Sequence, residues 1–160
     1  MGVSGCGKST VGVLLAERLG LPYAEGDDFH PDANIAKMAA GIPLTDADRA
    51  PWLDLVAGWL HQHEIAGGVA ACSALRRVYR DRLRAGAAET YFVQLAVDRA
   101  ELVRRLSNRH GHFMPTTLLD SQLDTLEPLQ PGEAGVTLDA TVAPELLVTE
   151  AIAAWRADHR

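Results

Sequence analysis

One stretch constrains this chain more than any other: residues 2–9, GVSGCGKS, match the phosphate-binding pattern G-x-x-x-x-G-K-[ST] at every fixed position. Glycines allow positive φ angles and so bring successive backbone N–H groups up to an anion, to which the following helix adds the positive end of its dipole. In such a loop Lys8 reaches the β- and γ-phosphates, and the hydroxyl of Ser9 binds Mg²⁺. We therefore predict that the loop binds a nucleotide through the following residues: Gly2, Ser4, Gly5, Cys6, Gly7, Lys8, Ser9 and Thr10.

The surroundings of this loop are typical on one side and unusual on the other. An amphipathic helical pattern follows the loop directly, and Gly20 stands where a helix of that length would end. A buried strand should precede the loop, yet only Met1 stands before it, whereas an ordinary strand has about 5–6 residues. We expect either that the natural protein begins several residues upstream with an apolar run, or that residues 1–3 form a shortened central strand.

The composition argues against several classes of protein. With 160 residues, of which 48% are hydrophobic, the chain can form one domain with a substantial core. A net charge of −6 gives no sign of a surface for nucleic acid or lipid, and there is no apolar run of about 18 residues to span a membrane. No signal peptide is visible, and Cys6 and Cys72 lack metal-ligand spacing, so we expect reduced thiols in a cytoplasmic protein.

Short apolar runs alternate with helical patterns along the whole chain. Besides the shortened strand before the loop, strands are predicted at residues 23–24, 69–72, 90–97 and 135–139. This alternation predicts an α/β fold in which helices flank a central parallel sheet of about five strands. Ser73 is expected to cap a helix over residues 74–85, and most arginines of that helix, Arg80 among them, are expected on a solvated face.

Two features between the first strand and the next helices suggest a binding site. Glu25, Asp27 and Asp28 follow the first strand, and in an open α/β sheet ligands bind at the carboxyl ends of the strands. These acids are suited to bind Mg²⁺ or to accept a proton. The alternative is that they form a solvated acidic turn. Arg49 lies in the first turn of a helix that Thr45 or its neighbour caps, where a cation opposes the helix dipole. We therefore favour an anion-binding role for Arg49.

A phosphate loop indicates a nucleotide but not a reaction, and two classes of nucleotide-binding protein do not fit. GTPase switches need D-x-x-G and [NT]-K-x-D, which are missing, and a motor or transporter ATPase needs an apolar strand that ends in Asp, whereas residues 69–72 end in Cys. Small kinases remain, and they need a carboxylate for the acceptor, cations for the phosphoryl group and a cover that excludes water. The chain offers acids at residues 25–28, a cluster of Arg104, Arg105 and Arg109, and the segment 107–117.

At this point the chain resembles a known family, the gluconokinases of the small P-loop type, which are relatives of shikimate kinase and adenylate kinase. Four stretches carry the resemblance: GVSGCGKST (2–10), EGDDFHPDANIAKMAAGIPLTDADRAPWL (25–53), CSALRRVYRDRLR (72–84) and RHGHFMPTTLLDSQLDTLEPL (109–129). Together they cover well over half of the chain in the order and spacing of that family. The second stretch is the most diagnostic, because the phosphate loop is shared by many unrelated proteins.

The resemblance implies a reaction in which ATP, with Mg²⁺, phosphorylates D-gluconate at its 6-hydroxyl to give 6-phospho-D-gluconate and ADP. It implies that Asp27 holds the attacking hydroxyl and accepts its proton, and that Glu25 holds a water molecule on Mg²⁺. His30, Arg49 and Arg76 would contact gluconate. Many relatives carry Lys in place of Arg76, and Arg can pair with a carboxylate bidentately.

For the nucleotide side, the resemblance implies that Lys8, Arg105 and Arg109 act on the phosphates, the two arginines by closing with a lid. Cys6 replaces the Ser that is usual in the loop, and only its backbone N–H is needed. The domain organisation that follows is a single P-loop kinase domain over residues 1–160, with a substrate-binding insert at about residues 28–66 and a lid at about residues 107–117.

Three questions stay open in the sequence. The acceptor could be another small sugar acid or polyol, and the chain could instead be a nucleotide-binding regulator with impaired catalysis. Whether the chain forms a homodimer is also open, because members of this family are often dimers. The expected partner is in any case a small molecule, with neither nucleic acid nor a membrane involved.

Overall fold

The computed structural model describes residues 1–108 and 116–160 of the chain. The described helices are α1 (Lys8–Leu19), α2 (Asp32–Ala39), α3 (Asp46–Gln62), α4 (Arg77–Gly86), α5 (Arg99–Ser107), α6 (Thr116–Thr125) and α7 (Pro144–Asp158). The strands are β1 (Tyr23–Glu25), β2 (Val69–Ala71), β3 (Phe92–Ala96) and β4 (Gly135–Asp139), and a single 3₁₀ turn, Gly26–Phe29, follows β1. None of the described helices has the length and apolar character needed to cross a membrane.

The strands form two parallel pairs rather than one continuous sheet. β1 pairs with β2, and β3 pairs with β4. The backbone of residues 1–2 lies between the pairs: Gly2 N–H donates to Ser73 O at 3.1 Å, and Leu95 N–H donates to Met1 O at 3.0 Å. The α/β fold is therefore as predicted, but the described residues contain four regular strands and not about five. The first residues bond to both neighbours, yet they are too few to form a regular strand.

The core has two parts, on opposite faces of the strands. Because side chains of a strand alternate, Val93 and Leu95 of β3 contribute to one part and Phe92 to the other. The first part lies among α1, α5, α6 and α7, and the second lies among α3 and α4. Helix α1 approaches β1 closely at Gly12, where a Cβ atom would come within 2.7 Å of the Tyr23 ring. This packing fixes the phosphate loop, which leads directly into α1.

The segment before α4 differs from the prediction. Ser73 does not cap a helix, because α4 begins at Arg77 and Arg76 is its N-cap residue. Ala74 has φ of 42°, in the left-handed region that disfavours side chains other than glycine. The guanidinium of Arg80 stabilises this conformation, since its Nη1 donates to Ala74 O at 3.2 Å and to Glu127 O at 3.0 Å. The prediction of a helix over residues 74–85 was therefore wrong at the start of the helix. The contact of Arg80 with the distant residue Glu127 helps to determine where α4 begins.

Arg80 itself is not on a solvated face, as the sequence suggested, but fully buried. It forms a bidentate ion pair with the fully buried Glu133, in which Nε–Oε1 and Nη2–Oε2 are both 2.7 Å. Arg84 adds a longer contact of 3.4 Å to the same carboxylate. The hydrogen bond from Arg80 lowers the pKa of Glu133 to about 2, against an ordinary value of 4.5.

We expect Glu133→Gln to lower the free energy of unfolding near neutral pH by about 3 kcal/mol, because it leaves Arg80 as a buried charge without its partner. The sign of the pH dependence follows from the lowered pKa of Glu133. Between its ordinary pKa and about 2, the unfolded chain binds a proton that the folded chain does not, so stability falls as the pH falls. Urea unfolding at about pH 7, 5 and 3 measures both effects.

Glu150→Gln is the matched control for Glu133→Gln, since Glu150 is exposed on α7. This control should keep the stability and the pH dependence of the parent chain. In Glu133→Gln, by contrast, the loss of stability between about pH 5 and 3 should become smaller than in the parent. An equally steep loss in the variant and the parent would mean that this carboxylate is not the source of the acid sensitivity.

Candidate active site

The phosphate loop has the backbone shape that its sequence predicts. Gly5 and Gly7 have φ of 84° and 102°, and Gly7 directly precedes the N-terminus of α1. The ammonium group of Lys8 donates to Val3 O at 3.0 Å, which ties the end of the loop to its start. Cys6 is buried, so its side chain belongs to the core, and its backbone N–H donates to Val3 O at 3.4 Å. The loop thus has the backbone geometry of an anion-binding turn at a helix N-terminus.

Ser9 and Glu25, the two residues that were predicted to help bind a magnesium ion, both lie near the hydroxyl group of Tyr23. Tyr23 donates its hydroxyl to Glu25 Oε2 at 2.8 Å, and the Ser9 side chain lies near the same hydroxyl. Burial, followed by the bond to Glu25, raises the pKa of Tyr23, so the phenol stays neutral. Sequence reasoning missed Tyr23, although its spacing of two from Glu25 on a strand puts both side chains on one face.

Asp27 and His30 are neighbours at the carboxyl end of β1 with very different exposure. Asp27 lies on the 3₁₀ turn with 73% of its side chain exposed, whereas 5% of the His30 side chain is exposed, and the atoms Asp27 Oδ1 and His30 Nε2 are 4.0 Å apart. The His30 ring stacks on the buried Trp52 at 4.4 Å between centroids. The Asp27 carboxylate is therefore open to an acceptor molecule beside a ring whose position is fixed.

The tautomer of His30 follows from its hydrogen-bond partner. Nδ2 of Asn34, which is buried, lies 3.2 Å from His30 Nδ1 and also donates to Asp48 O. An amide nitrogen can only donate, so Nδ1 accepts and Nε2 carries the proton of the neutral ring. Burial is the main cause that lowers the pKa of His30, and the Arg49 charge adds to it. His30 is thus a neutral donor on the side of Asp27.

Arg49 and Arg76 both lie close to one aromatic ring, that of Tyr79. Their Cζ atoms lie 5.7 Å and 5.8 Å from the centroid of Tyr79. Arg49 Nη1 donates to Leu44 O at 2.6 Å, and Arg76 Nη1 donates to Asp46 Oδ2 at 2.6 Å. Guanidinium groups are well suited to bind a carboxylate or a phosphate, which makes this pair a candidate for that role.

Asp46 partly neutralises this pair of arginines. It accepts a hydrogen bond from the Tyr79 hydroxyl as well as from Arg76. The bond from Tyr79, and then the charge of Arg76, lower the pKa of Asp46. Neither Asp46 nor Tyr79 was identified as a site residue from the sequence, although Tyr79 lies one helical turn after Arg76.

On the nucleotide side, the structure brings Arg105 to the phosphate loop. A pocket of about 270 Å³ is lined by Gly7, Thr10, Arg105, Ala140 and Val142, with other residues of the loop and of α7. Arg105 Nη2 donates to Ala140 O at 2.7 Å, and its Nε donates to Glu101. Arg109 and most of the expected lid, by contrast, lie outside the described residues.

A larger cavity, of about 550 Å³, is mainly apolar, although Lys8 of the phosphate loop is among its lining residues. It lies between β2 and β3 and is lined mainly by apolar residues, such as Val69, Tyr91 and Trp155. Val69 is the first residue of β2 and Tyr91 precedes β3, so part of the lining lies at the amino ends of these strands, and Ala71 and Cys72 extend it along β2 to its carboxyl end. Ligands of open α/β sheets bind at the carboxyl ends, where Asp27, His30 and the phosphate loop lie.

The chain is similar to proteins of one family along nearly its whole length. The family model described as shikimate kinase matches residues 4–127. A gluconokinase of Gluconobacter oxydans (strain 621H) is 47% identical over 160 residues, which cover 99% of this chain and 90% of that protein. The thermosensitive gluconokinase of Escherichia coli (strain K12) is 42% identical over 138 residues, which cover 85% of this chain and 74% of that protein.

Solved structures agree with this relationship. The crystal structure of a gluconokinase from Sinorhizobium meliloti 1021 superposes with a TM-score of 0.90 at 46% identity, covering 98% of this chain and 89% of the other. The Mycobacterium tuberculosis APS kinase CysC superposes with a TM-score of 0.64 at 18% identity, which shows a shared fold alone. The fold is therefore the α/β fold of P-loop kinases, and the chain belongs to the gluconokinases within the shikimate kinase family.

Proposed function

We propose that this chain transfers the γ-phosphoryl group of ATP to the 6-hydroxyl of D-gluconate, giving 6-phospho-D-gluconate and ADP. The observation that carries the proposal is the acceptor side of the site, where an open carboxylate, Asp27, and a neutral donor, His30, lie near the paired guanidinium groups of Arg49 and Arg76. Gluconate is a chain of hydroxyl groups that ends in a carboxylate, and these residues match both ends of it. The relatives named above support the same acceptor.

In this proposal Asp27 accepts the proton of the 6-hydroxyl as the oxygen attacks, and His30 donates from Nε2 to a hydroxyl of the acceptor. Arg49 and Arg76 hold the carboxylate at the far end, which orients the acceptor so that its 6-hydroxyl faces the phosphate loop. Lys8 and Arg105 stabilise the charge that develops on the transferred group. Arg109 is assigned to the same task by family resemblance alone.

The residues present fit a magnesium ion. Glu25 accepts a hydrogen bond from the Tyr23 hydroxyl and Ser9 lies near it, so the Ser9 oxygen and a water molecule held by Glu25 would be the ligands that this chain supplies. The described residues include no group of three or more His, Cys, Asp or Glu side chains that could hold a metal. Mg²⁺ typically keeps several waters and binds substrate phosphates, and when bound it neutralises charge on the β- and γ-phosphates.

The remaining assignments extend the proposal to the whole chain. The pocket beside Thr10 and Arg105 is proposed for the nucleoside part of ATP, because it adjoins the phosphate loop. Residues 1–160 form one kinase domain, with an acceptor-binding insert at about 28–66 and a lid at about 107–117. A cytoplasmic location is supported by the need for ATP and by two cysteines that are both free and buried.

A coupled assay of ADP release tests the acceptor. D-gluconate is expected to be the preferred substrate over shikimate, D-glycerate and nucleoside monophosphates. The sharpest comparison is D-glucitol, which has a CH₂OH group in place of the carboxylate. Loss of the charged hydrogen bonds to the two arginines should lower kcat/KM for D-glucitol by about 100-fold relative to gluconate.

The other outcomes of this assay point to different functions. Turnover with another acceptor but not with gluconate would replace the proposed substrate. Equal kcat/KM for gluconate and D-glucitol would show that the two arginines do not bind the carboxylate. A chain that binds ADP in a calorimetric titration yet turns over none of the acceptors would be a nucleotide-binding regulator.

A further inference from the structure

The stretch SQLDTLEPL, residues 121–129, is part of the family resemblance, but no role has been assigned to it so far. Gln122 lies on α6 and accepts a hydrogen bond at its Oε1 from Ser4 N–H of the phosphate loop, at 2.7 Å. Glu127 follows the end of α6, and its Oε1 accepts from Arg76 Nε at 3.3 Å. One short stretch therefore touches a residue of the nucleotide side and a residue of the acceptor side.

Helix α6 is fixed firmly enough to transmit both contacts. Leu118 and Leu119 are buried, and Leu123 and Leu126 pack against the core part that contains Val3 of the phosphate loop. The exposed side of the helix carries Asp124. Because the apolar side is held by the core, the Gln122 amide has a defined position relative to the loop.

Glu127 is bound by its own backbone as well as by its side chain. Its N–H donates to Leu75 O at 2.7 Å, and its Oε2 accepts from Arg77 N–H at 2.7 Å. Arg76, which stands between those two residues, is thus held through its neighbours and through its own Nε. Its Nη1 donates to Asp46, so the guanidinium group is held between the carboxylates of Asp46 and Glu127.

We infer that Gln122 and Glu127 are positioning residues of the phosphoryl transfer: Gln122 holds the phosphate loop through Ser4, and Glu127 holds Arg76 for the carboxylate of the acceptor. The inference rests on the proposed function, because the role of Arg76 is assigned there. Without Gln122, the Ser4 N–H loses its acceptor and the loop populates other conformations. Without the charge of Glu127, Arg76 is no longer held between two carboxylates and binds the acceptor less well.

The test is a separation of two affinities. Gln122→Met is expected to weaken ADP binding, measured by titration calorimetry, by about tenfold, with KM for gluconate at saturating ATP within about twofold of the parent. Glu127→Gln is expected to raise KM for gluconate by about tenfold and to leave ADP binding within about twofold. A merely structural role would lower the thermal midpoint without separating the two affinities in this way.

Matched controls make the same chemical changes where no such contact exists. Gln62→Met replaces an exposed glutamine at the C-terminal end of α3, and Asp124→Asn removes a charge from the exposed side of α6. Both controls should keep ADP binding and KM for gluconate within about twofold of the parent. If either first variant fails to fold, Gln122→Asn and Glu127→Asp shorten the side chain by one methylene, and the same separation is expected.

Three results would overturn the inference: both variants changing both affinities alike, neither affinity changing, or the two effects being exchanged. Failure of the proposed function would be recognised by a different set of measurements. The ADP titration uses no acceptor, so the effect of Gln122→Met on ADP is measured even if gluconate is not turned over. The effect of Glu127→Gln is then measured as KM for whichever carboxylate acceptor the parent chain phosphorylates.

Discussion

Replacing Lys8 by alanine is expected to reduce turnover of gluconate by about 1,000-fold or more. Lys8 begins α1, and its ammonium group lies 3.0 Å from Val3 O at the start of the loop. The variant loses the charge that would neutralise the β- and γ-phosphates during transfer, and also the bond that ties the two ends of the loop. Coupled ADP release at saturating gluconate and ATP gives the rate.

Arg18→Ala is the control for Lys8→Ala, because Arg18 is an exposed cation in the last turn of the same helix. This control should keep the turnover of the parent within about twofold. A Lys8→Ala enzyme that retained more than about a tenth of the parent turnover would contradict the assignment of residues 2–9 as the loop that binds the transferred phosphates.

The second large effect is expected for Asp27→Asn, which should lower kcat by more than about 100-fold while ADP binding stays unchanged. An amide cannot take the proton of the attacking hydroxyl, although it can still form a hydrogen bond to it. Asp27 is well exposed and lies beside the fixed ring of His30, so the loss of one charge there should not disturb the fold. Single-turnover measurements of the chemical step, together with a calorimetric titration of ADP, separate the two quantities.

Asp28→Asn makes the same change on the next residue, which is also exposed on the 3₁₀ turn. Its turnover should remain within about threefold of the parent. If Asp27→Asn behaved in the same way as Asp28→Asn, the proton acceptor would have to be another group, and the acids after β1 would be a solvated turn.

The sequence predicted best the features that local chemistry determines. Gly20 ends α1 with φ of 67°, as its position after the helical pattern indicated. Thr45 caps α3 in a capping box with Asp48, and Pro144 opens α7 at its first position. Such features depend on residues within one turn of each other, and a single sequence contains all the information that they need.

Contacts between distant segments were the part that the sequence did not predict. Arg80 is separated from Glu133 by 53 positions, and Ser4 from Gln122 by 118. Because the sequence does not reveal such partners, an arginine on a helix rich in arginines is predicted to face the solvent. For the same reason the contact of Gln122 with the phosphate loop was not predicted, because a polar residue is ordinary in an amphipathic helix.

The candidate site falls between these two cases. Motif spacing pointed to Lys8, Asp27, Arg49 and Arg76 as candidate residues, because their chemistry is unusual for their local positions or typical of a known family. Tyr79 escaped notice because an aromatic residue in a helix is ordinarily a core residue, and it is indeed largely buried. Its contact with the guanidinium groups of Arg49 and Arg76 arises only when α3 and α4 pack together.

The division of the strands into two pairs has a consequence for the reaction itself. Asp27 and Arg76 follow β1 and β2, whereas Arg105 and Ala140 follow β3 and β4. In the part of the chain that the structure describes, the backbone of Met1 and Gly2 joins one pair to the other. In the proposed reaction, the separation between the attacking oxygen and the phosphorus atom is therefore expected to depend on the strand framework and on the hydrogen bonds of these two residues.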